Sequence, residues 1–333
     1  MPRVPLTKLI AAFAALYIVW GSTYLAIRIG LEHDMPPTLF TGVRLAAAGA
    51  ILLAFARLRG WRLNLSAHDL KTLTIVGIFL LCGGMYFTVL AEMYIPSSLS
   101  ALIVAVVPLW VAGAEWLLRG FERPTGRGIA GLVIGFIGLG VLMWPRITGL
   151  HGSSAEWIGV ALQVFATLLW TTGSLISKRR PVKVNAIVAT GYELAIAGIL
   201  LTALGIVLGE APLMAAVTPT GMWVLAYLTV FGSCIAFTAF VWLLANVPTS
   251  KVMTYTYVNP VVAVFLGWAA GVLGVIATPE PVDAWVIAGM TIIVVGVALT
   301  TTAPTRASAH ASTPSPQPIH ASYATAGDTR KQP

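Results

Sequence analysis

Charge is what this chain has least of. Only 10% of its 333 residues are Asp, Glu, Lys or Arg, where a soluble domain carries about a quarter. Cysteine is almost absent as well. Cys82 and Cys234 are the two present, and both fall inside apolar runs. That rules out a disulfide framework and a paired-cysteine metal motif. The five histidines, His33, His68, His151, His310 and His320, all lie in connections or in the C-terminal segment. A histidine metal cluster at membrane depth is thereby excluded, and neither a metal nor another cofactor is expected. Long soluble stretches are missing between the apolar runs, so no sizeable soluble domain is expected. The apolar/polar alternation that a membrane barrel requires is missing too.

What remains is hydrophobic. Apolar residues make up 58% of the sequence and gather into ten runs near the length that crosses a bilayer as a helix. They lie at roughly 9–29, 38–56, 72–91, 97–118, 128–144, 157–176, 185–208, 221–243, 250–272 and 284–302. The first run is long and leads into further spans, so it reads as a retained helix and not a cleaved signal. The expected fold is an all-α integral membrane protein of ten transmembrane helices. From Ala303 onward the sequence is rich in Ala, Ser, Thr and Pro. Lacking an apolar period, residues 303–333 are expected to form a disordered cytoplasmic tail.

The net charge of +8 could suggest nucleic acid, but its placement points to a bilayer. With the N-terminus in the cytoplasm, Arg3, Lys8, Arg57, Arg59, Arg62, Lys71, Arg119, Arg123, Arg127, Lys178, Arg179, Arg180, Lys183 and Lys251 all fall on the inner side. Among the outer loops, only the one with Arg146 carries a basic residue, while Glu32, Asp34, Glu92, Glu156, Glu210, Glu280 and Asp283 lie outside. This is the positive-inside asymmetry. Both termini are therefore expected in the cytoplasm, with no nucleic acid as partner.

The chain repeats itself. Pro96-Ser97-Ser98 to Pro108 recurs 152 positions later as Pro248-Thr249-Ser250 to Pro260, and Cys82 and Cys234 share that offset. Trp20 maps to Trp170 at 150, and Ile129-Ala130-Gly131 to Ile287-Ala288-Gly289 at 158, with Gly138 and Gly296 following. The growing offset places an insertion around 272–283. Residues 1–150 and 151–302 form two repeats of five spans each. Five is odd, so the second repeat enters the membrane from the opposite side, an arrangement that transporters use to exchange inside for outside access. Pro108 and Pro260 sit near mid-span, where proline removes a backbone hydrogen bond and kinks a helix. The glycine stripes Gly131, Gly135, Gly138, Gly140 and Gly289, Gly296 fit close helix contact, between the halves or between the protomers of a homodimer.

Four charges lie within the spans, and each costs roughly 2.5–3.5 kcal/mol near mid-bilayer. Arg28 is close enough to the outer end of its span to snorkel. Glu115 precedes Arg119 by four residues, the spacing of a helical ion pair. Arg44 lies about 9 Å into the second span, and Glu193 lies about 12 Å into the seventh from the other side. Those two spans are repeat mates, so each half carries one buried charge of opposite sign in the same element. Trp61, Trp144, Trp157, Trp223 and Trp285 sit at span ends, as an interfacial belt requires. Trp20, Trp110 and Trp170 do not. Trp20 precedes Gly21-Ser22-Thr23-Tyr24, and Trp170 precedes Thr171-Thr172-Gly173-Ser174. An aromatic wall beside hydroxyls suits a small amphipathic solute. Thr254, Tyr255, Tyr257 and Asn259 add polar groups ahead of Pro260.

Together these residues resemble the EamA family of the drug/metabolite transporter superfamily, and most of all its YedA-like subgroup. The resemblance rests on Trp20-Gly21-Ser22-Thr23, Arg44, and Pro108 followed by Glu122-Arg123. In the second half it rests on Gly232-Ser233 with Phe237-Thr238, Val258-Asn259-Pro260-Val261-Val262-Ala263, and the Gly289 to Gly296 stripe. It spans residues 8–302. One departure is the end of the ninth span, where Gly271-Val272-Leu273-Gly274 and Glu280 replace the usual Gly-Glu-Arg.

The resemblance implies an inner-membrane exporter of amino acids, related metabolites or drugs, working by alternating access, and not an enzyme. The expected cavity lies among spans one, four, six and nine. Trp20, Trp110 and Trp170 would wall it, and Ser22, Thr23, Ser174 and Asn259 would orient polar groups. Arg44 would attract a carboxylate, while Glu193 or Glu115 would couple or gate. Two other classes stay open at this point. A flippase for a lipid-linked carrier would favour a lateral groove. A membrane-embedded enzyme would need a nucleophile and base at depth, which the sequence does not show.

Overall fold

The computed structural model describes residues 5–95, 97–118, 125–148, 153–273 and 284–302. Pro96, Arg119, Glu122 and Arg123, residues 274–283 of the insertion expected around 272–283, and the tail from 303 lie outside the described residues. Everything regular that is described is helical.

In chain order, α1 is Leu6–Glu32, α2 Pro37–Leu58 and α3 Ala67–Ala91. The next run is broken into α4 (Ser97–Val104) and α5 (Val107–Leu117), and α6 follows at Gly126–Thr148. Then come α7 Ser154–Arg179, α8 Ala186–Val207, the short α9 Ala211–Ala215 and α10 Pro219–Asn246. The ninth apolar run is also broken, into α11 (Thr249–Val252) and α12 (Tyr255–Val272), and α13 is Ala284–Thr302. Six of these helices (α1, α2, α3, α7, α8 and α10) are long and apolar enough to cross a membrane, and shorter apolar stretches run through α6 and α13.

The two breaks differ. Pro108 takes the second position of α5, where its missing N–H costs nothing, and the turn falls immediately before it at 105–106. Pro260 instead sits inside the continuous α12. The break in that run comes earlier, at Met253–Thr254, where Thr254 Oγ1 donates to Lys251 O and Thr256 Oγ1 to Met253 O. Hydroxyls that turn back on the local carbonyls loosen the helix there more than the proline does.

Two pairs of helices set the frame. In the first, α2 and α8 are so close that glycine is required on both. A Cβ at Gly42 would meet Thr202, at Gly49 Ala195, at Gly198 Ala46, at Gly205 Leu39 and at Gly191 Leu53. The partners' numbers rise on one helix as they fall on the other, so the helices run antiparallel. The second pair repeats the pattern, with Gly131 against Thr300, Gly135 against Gly296 and Gly138 against Ile293 across α6 and α13. This places Gly131, Gly135, Gly138 and Gly296 of the stripes in a contact within the chain. Gly140 has open space around it.

The mates also match in detail. Both α2 and α8 end on a glycine with positive φ, Gly60 at 71° and Gly209 at 78°. In each, the two N–H groups that follow fold back in the same way, Gly60 to Arg57 and Trp61 to Ala56, then Gly209 to Ile206 and Glu210 to Gly205. Midway along α3 and α10 the backbone widens into π-helical turns, Ile78–Met85 and Leu228–Phe237. Each stretch holds one cysteine, and the thiols cross over symmetrically. Cys82 Sγ points to Ala197 O (3.9 Å) and Cys234 Sγ to Ala48 O (3.7 Å). Both cysteines are free.

Candidate functional site

Where the halves meet, the helices leave a half-open cavity. Trp20, Thr23, Tyr24 and Ile27 of α1 line it, with Arg44 of α2 and Gly84, Met85 and Thr88 of α3. Val104 and Val107 flank the broken fourth run. Gln163, Ala166, Thr167 and Trp170 come from α7, Gly232 from α10, and Tyr255 and Asn259 from α12. These are mainly the later turns of α1 and α3, the earlier turns of α2 and the middle of α7. The cavity therefore occupies the half of the bundle away from the N-terminus.

Its floor is aromatic. The repeat mates Trp20 and Trp170 touch edge to face at 5.6 Å between ring centroids. Tyr255 packs on Trp20 at 4.9 Å, and Phe240 packs on both tryptophans at 5.2 Å. Edge-to-face pairs place positive ring edges on negative faces and add about 0.5–1.5 kcal/mol each. Trp20 is held further by its indole, which donates to Gly232 O at 3.1 Å. That carbonyl lies in the π-helical stretch of α10, where it is available to a side chain.

Arg44 is the one charged group among the lining residues. It is only 3% exposed. Its Nη2 donates to Met85 Sδ at 2.6 Å, while Nε and Nη1 have no partner. A guanidinium offers five N–H donors in a planar fork that matches a carboxylate. One further polar atom of the lining, Oδ1 of Asn259, is also unsatisfied, and the indole N–H of Trp170 has only the Tyr255 hydroxyl beside it. The Asn259 amide sits beside the Tyr24 hydroxyl. Buried polar groups normally have partners, so this set is equipped to receive a ligand.

A polar seam leaves the cavity between α3, α4 and α7. Gln163 Nε2 donates to Thr88 Oγ1 at 3.1 Å, and Gln163 Oε1 accepts from Ser100 Oγ at 2.8 Å. Ser100 Oγ also lies 3.4 Å from Glu92 Oε1. Gln163 joins three helices and is fully buried. Gln163→Leu is expected to cost about 1–3 kcal/mol by removing two buried hydrogen bonds that tie three helices together, read as an earlier unfolding transition of the purified protein in detergent.

Of the residues singled out in the sequence, Trp20, Thr23, Arg44, Trp170 and Asn259 converge on the cavity. The others lie elsewhere. Trp110 is 43% exposed and faces outward, because Val107 and Val111 take the inward side of α5. Ser22 Oγ bonds to Val19 O and Tyr227 Oη, and the buried Ser174 Oγ donates to Trp170 O. Glu193 is buried away from the cavity with its backbone against Gly77 of α3. Glu115 is buried beside Thr249, Ser250 and Lys178. Arg28 pairs with Glu32 at 2.7 Å, both about half exposed. Tyr24, Met85, Thr88 and Gln163 also line it, as does Tyr255 ahead of Pro260, and on α7 the polar Gln163 in mid-span was a second sequence signal beside Trp170.

Comparison with known proteins agrees with this architecture. The model of the EamA-like transporter family matches twice, over residues 7–144 and 157–302. The inner membrane transporter YedA of Escherichia coli (strain K12) is 37% identical over 267 residues, 80% of this chain and 84% of that protein. The transporter YoaV of Bacillus subtilis (strain 168) is 22% identical, over 79% of this chain and 88% of its own. One protein of known crystal structure superimposes with a TM-score of 0.70 over 90% of this chain and 97% of its own, at 22% identity, and so shares the fold. With two matched repeats, a relative above a third identity and a cavity where those repeats meet, this chain belongs to the EamA-like transporter family.

Proposed function

We propose that this chain is a secondary transporter that exports small organic solutes bearing a carboxylate, amino acids or related metabolites, by alternating access. Ten crossing helices form two inverted repeats, 1–150 and 151–302, with both termini in the cytoplasm. The observation that carries this reading is Arg44, a buried guanidinium with two unpartnered nitrogens in an aromatic-floored cavity between the halves. Burying a cation without a partner is costly, and a solute carboxylate would offset that cost. The antiparallel mates α2/α8 and α6/α13 support the inversion, since two equivalent elements with opposed directions are what a two-fold axis in the membrane plane generates.

The experiment is release of labelled amino acids from proteoliposomes loaded with them, with and without a pH gradient. One chemical class is expected to leave with protein present, and Trp170→Ala is expected to cut that release by about tenfold or more by removing half of the cavity floor. Dependence on the pH gradient would make Glu193 the first coupling residue to test. If Trp170→Ala and an Arg44 variant both transport normally, this cavity is not the solute site.

A further inference from the structure

The side of the bundle that bears the N-terminus is tied shut. Tyr17 Oη and Thr254 Oγ1 are 2.8 Å apart, joining α1 to the break before α12. At the end of α7, Lys178 Nζ donates to Leu244 O and Val247 O, both at 2.9 Å. A cation on the last carbonyls of a helix satisfies groups that have no partner within the helix and opposes the negative end of its dipole.

The repeat converts this tie into an expectation for the other side. Lys178 maps back by 150 positions, the Trp170–Trp20 offset, onto Arg28. Leu244 and Val247 map back by 152, the Cys234–Cys82 offset, onto Glu92 and Ile95. The backbones agree, since Ile95 N donates to Ala91 O at 3.0 Å as Val247 N does to Leu243 O at 2.8 Å. Yet the mate of the Lys178 contact is not made. Arg28 is held by Glu32 on its own helix. Glu92 Oε2 is buried without a partner. The end of α10 packs against α7, and no contact of that extent joins the later turns of α1 to the end of α3.

We infer that Arg28 and the C-terminal end of α3, with the Glu92 carboxylate, form the latch that closes the far side of the cavity. In the conformation of opposite access Arg28 leaves Glu32 and docks on Glu92 and the Glu92 and Ile95 carbonyls, while Lys178 releases α10. This rests on the alternating-access reading above, because exchange of the two halves' conformations is what carries one contact onto the other.

Paired cysteines test it. Arg28→Cys and Glu92→Cys are combined in a chain whose Cys82 and Cys234 are replaced by Ser, since a disulfide needs Cα atoms within about 7 Å. Oxidation in membranes is expected to link the pair and to lower solute release about tenfold or more, with recovery on reduction. A pair that transports without linking, or links without losing transport, overturns the latch. Single variants add a second reading. Arg28→Lys is expected to keep most of the rate, because lysine fills the equivalent place in the other repeat. Arg28→Gln is expected to lose about fivefold or more with solute affinity unchanged, and a wild-type rate for Arg28→Gln also overturns the proposal. If the unmodified protein moves no solute, the transport reading falls, and the cross-link, which needs no solute, still decides the latch.

Discussion

Arg44→Met is expected to abolish solute release while making the protein more resistant to heat. The two effects have one origin. In the cavity the guanidinium gains only a weak bond to a thioether, with Nε and Nη1 unsatisfied. A buried charge left this way costs several kcal/mol, and an apolar side chain of similar size removes that cost. Methionine should therefore raise the unfolding midpoint in detergent, by the equivalent of about 1–3 kcal/mol. Against this, a solute carboxylate loses its charge-assisted hydrogen bonds, worth about 1.5–3 kcal/mol, or about 10- to 150-fold in affinity. Release assays and thermal unfolding of the same preparation read both. A fall in stability would make Arg44 a structural residue, and unchanged transport would remove it from the solute site. Groups that destabilise the resting protein and persist are the ones whose purpose lies in a bound state.

The sequence showed some of this and hid the rest, for identifiable reasons. Apolar runs and sparse charge give the helices, because a bilayer leaves the backbone little else to do. The repeat was legible in Trp20 and Trp170 and in Cys82 and Cys234, all set at nearly one offset, and these mates meet or cross over in the structure. Depth along a span was legible too, but direction around it was not. Trp110 has the same mid-span depth as Trp20 and faces outward, since each residue turns about 100° and only the neighbours decide which face is inside. Ser22 and Ser174 looked free and are bonded within or beside their own helices. The break before α12 could not be placed from Pro260, because the hydroxyls of Thr254 and Thr256 act earlier on the same backbone. Gln163, Tyr24 and Met85 have no counterpart that drew notice in the other half, and their convergence exists only in three dimensions. The Arg28–Lys178 correspondence was present in the numbering, yet nothing gave it meaning until Lys178 was seen on the end of α10.

Gly198→Leu and Gly49→Leu are expected to fail in the same way, each costing about 3 kcal/mol or more and leaving little folded protein after extraction. At Gly198 a Cβ would run into the backbone of Ala46, and at Gly49 into that of Ala195. Backbone cannot swing aside as a side-chain tip can, so the helices must separate along their whole crossing. The two sites are repeat mates on α2 and α8, and equal losses are what a two-fold axis through this crossing requires. Gly140→Leu is the control, since nothing lies within 4 Å of a Cβ there, and a leucine in that helix should cost nothing or gain up to about 1 kcal/mol. Monodispersity on gel filtration and the unfolding midpoint separate the three. A loss at Gly49 without one at Gly198 would show that the halves do not meet symmetrically here. Equal losses would mark this crossing as the pivot. Contacts on the axis map onto themselves when two halves exchange conformations, so under the alternating access proposed above Gly49 and Gly198 would serve both states alike. Contacts far from it, such as those of Lys178 and Arg28, would under the same proposal exist in one state at a time. Substitutions near the axis should thus change how much protein folds, and substitutions at the two ends should change how a folded population divides between its two openings.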